Sequence, residues 1–436
     1  MLFSMPVKNG RRAMPCHFII HAFCLLALAF GSALAHAGDK PLTLSEALSR
    51  TMAQNPGLQV FDFRLQGLEG RRVTADQNPA LEAGLEVENF LGSDNLEGVD
   101  GAEYTLSLSS ALELGGKRQA RVSVVNSRYG RVEVERRAET LDLLGQATQR
   151  FVATLALQEK LQLAAEAVAL AETTHEIVTR RADRGAAPQA EVLRARAALT
   201  QSRIEQARRQ TEFASRKMAL ASLWGDTSPD FQLLEGDLFQ FGYSDNFDAL
   251  YQRVSASPAI QIYASEQRIR EAEIQLARSQ SESDIRWQVG IRRFEETDDT
   301  ALTAGLSVPL FSGRRNRGEV QAALAARDEV RFRREDTLLR LHSRLFDAYH
   351  LRQQSIEAVE QIRSQMLPDL TDALTQTGQA YENGRYSYVE WTAAQRELLS
   401  AREVLVDAAT TALLNQALIE QLTAQPLATA PGAPAR

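Results

Sequence analysis

Four segments of this chain alternate apolar and polar residues strictly, and together they constrain the fold more than any other feature. In residues 81–90, Leu81, Ala83, Leu85 and Val87 share one face, and Glu82, Gly84, Glu86 and Glu88 share the other. Residues 103–114 set Tyr104, Leu106, Leu108, Leu112 and Leu114 against Glu103, Thr105, Ser107, Ser109 and Glu113. Residues 285–294 set Ile285, Trp287, Val289 and Ile291 against Arg286, Gln288 and Arg292, and residues 301–310 repeat the pattern around Leu302, Ala304 and Leu306. A run of about ten alternating residues has the length of a strand that crosses an outer membrane. Half-buried strands of a soluble sheet also alternate. The membrane reading carries a further consequence. A sheet in lipid must close, because an open edge leaves backbone donors and acceptors unpaired. Barrels of this kind begin at about eight strands, so four cannot close alone. Strand arithmetic admits two copies with eight strands or three with twelve.

The strands sit inside a tandem duplication. Glu46-Ala47-Leu48 through Asn55-Pro56-Gly57-Leu58-Gln59 aligns with Asp248-Ala249-Leu250 through Ser257-Pro258-Ala259-Ile260-Gln261. Gly116-Lys117-Arg118 then matches Gly313-Arg314-Arg315, and Gly185, Glu191, Ala195 and Arg203 match Gly384, Glu390, Ala394 and Arg402. Each copy reads as helix, two strands, long helix, tight turn, helix. Thr43 with Glu46 fits a capping box. Asn55-Pro56 fits an N-cap followed by proline at the first helical position, and Ser257-Pro258 repeats it. Residues 117–183 and 317–382 are rich in good helix formers, and a helix of about 65 residues is roughly 100 Å long. Leu367-Pro368 is expected to kink the second one. Residues 189–222 and 389–423 are the returning helices. The organisation predicted is a leader over 1–37, a first repeat over 38–240, a second over 241–424 and a loose tail over 425–436. The first repeat has strands at 81–90 and 103–114 and a helical hairpin over 117–222. The second has strands at 285–294 and 301–310 and a hairpin over 317–423.

The leader has Lys8, Arg11 and Arg12 ahead of an apolar run at residues 18–30, which is too short to span a membrane. Cleavage is expected after Ala35 or Ala37. Both cysteines, Cys16 and Cys24, fall inside it, without the small residues that precede a lipidated cysteine. The remaining chain has no thiol for a disulfide or a metal. Its 49 basic against 56 acidic residues give −7, and loss of three bases with the leader makes this −10. Such a chain is a poor nucleic-acid binder.

No enzyme is indicated. Beyond the leader only His175, His342 and His350 remain, and the latter two are eight apart, without helical ligand spacing. Met52, Met218 and Met366 form no thioether ladder, and no nucleophile elbow, phosphate loop or triad is present. No cofactor is expected. A periplasmic coiled-coil adaptor or scaffold also has long helical hairpins, but not four alternating strands placed symmetrically between them.

The duplicated plan resembles the TolC-like outer-membrane efflux proteins over nearly the whole chain beyond the leader. Leu85-Glu86-Val87-Glu88-Asn89-Phe90, Gly101-Ala102-Glu103 and Leu112-Glu113-Leu114-Gly115-Gly116-Lys117-Arg118 resemble the cobalt–zinc–cadmium branch of that family. Ala111 stands where a proline commonly precedes the last motif; Pro309 keeps it in the second copy. The resemblance implies a homotrimer with a twelve-stranded β-barrel in outer-membrane lipid and a helical barrel in the periplasm. It further implies a tripartite pump, with a periplasmic adaptor and an inner-membrane proton-driven RND-type transporter. The cargo implied is divalent heavy-metal cations; a duct for organic drugs is the alternative. The polar strand face would line the lumen with Glu82, Glu86, Glu88, Glu103 and Glu113 against Arg286 and Arg292. In the family, two helix–turn–helix tips meet the adaptor and close the entrance. Their glycines match Gly185 and Gly384, and an acid six residues on matches Glu191 and Glu390. A second acid three residues later is replaced by Arg194 and Ala393.

Overall fold

The computed structural model describes residues 40–93, 98–242 and 245–425. The expected leader, its cleavage sites and both cysteines lie outside the described residues, as does the tail beyond Gln425. In chain order the first copy contains β1 (Leu42–Thr43), α1 (Leu44–Gln54), α2 (Pro56–Ala75), β2 (Glu82–Glu88), β3 (Glu103–Leu112), α3 (Lys117–Asp183), α4 (Gln189–Ala221) and β4 (Leu234–Glu235). The second contains α5 (Phe247–Ser255), α6 (Pro258–Ser279), β5 (Ile285–Phe294), β6 (Thr300–Ser307), α7 (Ser312–Arg315), α8 (Arg317–Gln361), α9 (Leu367–Glu382) and α10 (Tyr388–Thr423). The fold is therefore mainly helical, with an internally duplicated unit of helix, β-hairpin and long helical hairpin.

Helix starts follow local chemistry, with two corrections. Thr43 Oγ1 accepts from the Glu46 amide at 3.2 Å. The Glu46 carboxylate, however, turns to Arg50 at 2.6 Å, so the expected capping box is only half made. Asn55 accepts from the Gly57 amide at 2.8 Å, ahead of Pro56 at the first helical position. Ser257 does not repeat this: its hydroxyl is buried without a partner, and Pro258 alone sets the start of α6.

At 67 residues, α3 is roughly 100 Å long. Its counterpart is α8 continued by α9. Just before Pro368, where a kink is expected, the helix widens into a π turn, Ile362–Met366, in which the Leu367 amide reaches back to the Ile362 carbonyl. Widening the helix by one residue accommodates the missing donor while keeping helical dihedrals on both sides.

The four strands form one antiparallel sheet in the order β2-β3-β5-β6, so the two hairpins pair with each other through β3 and β5. Alternation suggests strands to Phe90, Leu114 and Leu310, but pairing stops at Glu88, Leu112 and Ser307. Register carries the apolar sets into rows: Leu85, Leu106, Ile291 and Leu302 face one another across all four strands. That face is bare, with Leu85 71% and Leu302 85% exposed. Among the described residues, both β2 and β6 keep a free edge. Among the described residues no helix is long and apolar enough to cross a membrane.

The motif Leu112-Glu113-Leu114-Gly115-Gly116-Lys117 now has a physical account. Gly115 and Gly116 both take positive φ (+73° and +72°), turning the chain from sheet to helix. A Cβ on Gly115 would lie 2.7 Å from Glu282 Cγ. Lys117 Nζ donates to the Glu282 carbonyl at 2.8 Å and to Asp284 at 2.6 Å, tying this junction to the second copy.

Apolar side chains from α1, the middle of α3, the end of α4 and α10 form the largest buried cluster, around Ala47, Phe151, Leu155, Trp224 and Ala409. The buried Arg352 fastens the second repeat, donating to the Gly242 carbonyl and to Gln416. Burial lowers its pKa below the ordinary arginine value.

Candidate functional site

Both helical hairpins end in the same turn. Gly185 and Gly384 each take φ +71° two residues past the end of a helix, α3 and α9 respectively. The Gly185 amide donates to Ala182 O at 2.9 Å and the Ala186 amide to Arg181 O at 2.8 Å. The Gly384 amide donates to Tyr381 O at 2.9 Å and the Arg385 amide to Ala380 O at 2.8 Å. These paired bonds satisfy the last helical carbonyls and require a left-handed residue, which glycine supplies without strain.

The two acids that the repeat equates have different partners. Glu390 forms a full capping box: Ser387 Oγ accepts from the Glu390 amide at 3.3 Å, and the Glu390 carboxylate accepts from the Ser387 amide at 2.7 Å. The Ser387 amide, and then its hydroxyl, hold the Glu390 carboxyl below the ordinary value. Crowding of Glu390 side chains alone would act in the opposite direction. Glu191 instead crosses to the second hairpin, where it accepts from the Tyr381 hydroxyl at 2.9 Å. The proline at position 188 starts α4 without a side-chain cap.

Around that bond the hairpins are fastened together by residues that sequence reasoning did not single out. Arg181 on α3 donates to the Tyr381 carbonyl at 2.7 Å and the Glu382 carbonyl at 2.5 Å, capping α9 from outside. It also reaches the Ala186 carbonyl at 3.1 Å, and its guanidinium lies 4.7 Å from the centre of the Tyr381 ring. Tyr381 is only 2% exposed and stacks on Trp391, with ring centroids 4.9 Å apart. Burial, then the bond to Glu191, pushes its phenol above the ordinary value, so it stays a donor at neutral pH. Gln395 reaches Thr174 at 2.8 Å behind this cluster. One signal was available: Tyr381, Tyr386, Tyr388 and Trp391 crowd eleven positions of a chain that is 7% aromatic.

Depressed pKa gives the cap a definite pH sign. Its stabilisation is fully present above the unfolded carboxyl value, 4.5, and is lost as pH falls through the lower folded value. Amide exchange in the first turn of α10, normalised for intrinsic rate, is therefore expected to speed up on acidification below 4.5. In Glu390→Gln, which can still accept from the Ser387 amide, that dependence should vanish. Equal pH dependence in both proteins would remove the carboxylate from the cap.

On the polar face of the sheet, Arg292 gathers the acids nearest one end. Its guanidinium lies 2.7 Å from Glu88 and 2.8 Å from Glu103, and it donates to the buried Thr105 hydroxyl at 2.8 Å. Glu113 is not on a strand. It lies past Leu112 and is bound to Arg121 at 2.5 Å, because the turn at Gly115 brings α3 beneath it. Glu82, Glu86 and Arg286 make no ion pair among the described residues. The negative excess on this face is thus smaller than a count of residues suggests.

A family model described as outer membrane efflux protein matches residues 47–226 and 249–425. The chain is 25% identical over 362 residues to the cobalt-zinc-cadmium resistance protein CzcC of Cupriavidus metallidurans, covering 83% of this chain and 85% of the relative. It is 26% identical over 326 residues to the nickel and cobalt resistance protein CnrC of the same organism, covering 72% and 75%. Among solved structures, a membrane protein from Pseudomonas aeruginosa superimposes with a TM-score of 0.72 at 19% identity, covering 87% of this chain and 90% of the other. A CusC structure superimposes with a TM-score of 0.71 at 20% identity, covering 87% and 91%.

Proposed function

This chain belongs to the outer membrane efflux protein family, and from that premise we propose that it is the passive outer-membrane duct of a tripartite pump exporting divalent heavy-metal cations. The observation that carries the duct is the sheet. Its apolar face is bare, its two edges are free, and helices of roughly 100 Å continue from it. In lipid those edges must be paired, and three copies would supply twelve strands. The periplasmic helical hairpins then form a tunnel whose tips, at Gly185 and Gly384, meet an adaptor that links the duct to an inner-membrane proton-driven transporter. Glu191 and Glu390 lie at the entrance. The polar face of the strands, on which Glu82, Glu86 and Arg286 make no ion pair among the described residues, lines the exit.

The metal cargo is supported by the relatives named for resistance to cobalt, zinc, cadmium and nickel. Cargo ions pass through and are not resident. A strain lacking this chain, challenged separately with cobalt, nickel, zinc and cadmium salts, should lose tolerance to at least one and regain it on complementation. Unchanged tolerance to all four, with sensitivity to organic compounds instead, would replace the metal reading with that of a drug duct.

A further inference from the structure

A groove of about 670 Å³ runs across α2, α3 and α6 on the side turned away from the largest core. Leu58 of α2 is buried in that core. At 100° per residue, Val60, Phe63, Gly67 and Arg71 fall on the opposite side of the helix, and all four line the groove. The charge of this groove is opposite in sign to that of the chain. Arg64, Arg71, Arg128, Arg131 and Arg270 line it, against Glu135 and Glu273. Glu135 is shared by Arg131 at 2.7 Å and Arg64 at 3.9 Å, and Glu273 by Arg270 at 2.9 Å and Arg128 at 3.1 Å. Behind them Glu266, only 3% exposed, takes Arg131 at 3.2 Å, Arg270 at 3.0 Å and Arg333 of α8 at 3.2 Å. Six guanidiniums thus face three carboxylates, and acceptors run short. Arg71 makes no ion pair or hydrogen bond among the described residues, and Arg270 Nε is buried without a partner.

The floor of the groove is apolar. Leu68 and Ile269 are buried beneath it, while Phe63 is 72% and Val60 45% exposed along it. An added Cβ on Gly67 would meet nothing, so the groove is open at its middle. A volume of this order suits a small organic molecule. A bare inorganic anion would leave the Phe63 ring in water.

We propose that this groove binds an amphipathic organic anion, a carboxylate carried on an apolar body. Arg71 and its neighbours supply the donors, and Phe63 covers the apolar part. Charge complementarity selects this occupant. A guanidinium fork matches a carboxylate with two parallel bonds. The surplus of cations repels a free divalent metal ion, so the ligand is not the proposed cargo in its bare form. Every group invoked belongs to one chain, and the site does not depend on how many copies share a barrel.

Residues 38–436 contain no cysteine, so the thiol introduced by Gly67→Cys reports on the groove alone. Gly318→Cys on α8, where an added Cβ also meets nothing, serves as the control. In the purified oligomer, 1-naphthoate should slow labelling by a neutral maleimide at position 67 and leave position 318 unchanged. Neutral 1-naphthalenemethanol and inorganic phosphate, each lacking one half of the ligand, should protect far less. Arg71→Gln should raise the half-protecting concentration about two- to five-fold, and Phe63→Ala about two- to ten-fold. Neither side chain has a buried partner to strand, so the yield of oligomer should hold. Equal protection by the alcohol or by phosphate, equal slowing at both positions, or unchanged protection in both variants overturns the proposal. A thiol at position 67 that fails to label without ligand overturns it as well, because another part of the assembly then covers the groove.

Discussion

Leu85→Arg is expected to prevent assembly in the outer membrane, whereas Glu86→Arg, one residue away, is expected to fold and alter ion selectivity. The contrast follows from register. Leu85 stands in a row with Leu106, Ile291 and Leu302, an unbroken apolar line across the sheet that nothing among the described residues covers. A guanidinium there would face hydrocarbon, at about 2–4 kcal/mol per chain near the midplane. Every copy in a barrel would carry that cost. Glu86 stands in the adjacent row with Thr105, Arg292 and Ala301, on the wet face. The nearest like charge, Arg292, lies two strands away and is already held by Glu88 and Glu103. Heat-resistant oligomer on gels and reversal potentials in planar bilayers separate the two effects. Similar losses of oligomer from both variants would mean that the faces are assigned wrongly.

Arg181→Ala is expected to release the two hairpins from each other at the tip. The guanidinium satisfies carbonyls at the end of α9 and covers the Tyr381 ring. Hydrogen bonds to a charged group contribute about 1.5–3 kcal/mol, and the cation–π contact adds about 0.5–1 kcal/mol. Tyr381→Phe is milder. It keeps the stack on Trp391 and loses only the single bond to the Glu191 carboxylate, about 1.5–3 kcal/mol. If the tips are the closed entrance, single-channel conductance should rise strongly in Arg181→Ala and modestly in Tyr381→Phe. Amide exchange should accelerate in α9 and the first turns of α10 in the same order. Conductance at the wild-type level in Arg181→Ala, despite faster exchange, would show that this cluster fastens the hairpins without closing the pore.

Pairings between the two hairpins depend on residues about 200 positions apart. Gly185 and Glu191 match Gly384 and Glu390 in sequence, yet only the glycines behave alike. A turn needing positive φ is a local requirement, legible wherever glycine ends a helix-forming run. A carboxylate takes whatever donor the packing presents. Glu390 finds its donors three residues back in the amide and hydroxyl of Ser387, whereas the matching position in the first tip is Pro188, with neither an amide hydrogen nor a hydroxyl to offer. Glu191 is left for Tyr381 on the other hairpin.

Periodicity explains the rest of what was legible. A strand repeats every two residues and a helix every 3.6, so the strand faces around Leu85, Leu106, Ile291 and Leu302 follow from the residues alone. So do the long helices, the duplication and the need for more than four strands. Tertiary structure decided everything that requires knowing which elements lie side by side. It paired β3 with β5 across the repeats, and withdrew Glu113 to Arg121 and Glu88 and Glu103 to Arg292. It left Ser257 without a cap partner and set Arg181 against Tyr381. The physical reason is that a residue's own conformation is biased by its immediate neighbours. The partner of a charge or hydroxyl is chosen by distance in space, which a repeating sequence pattern does not encode.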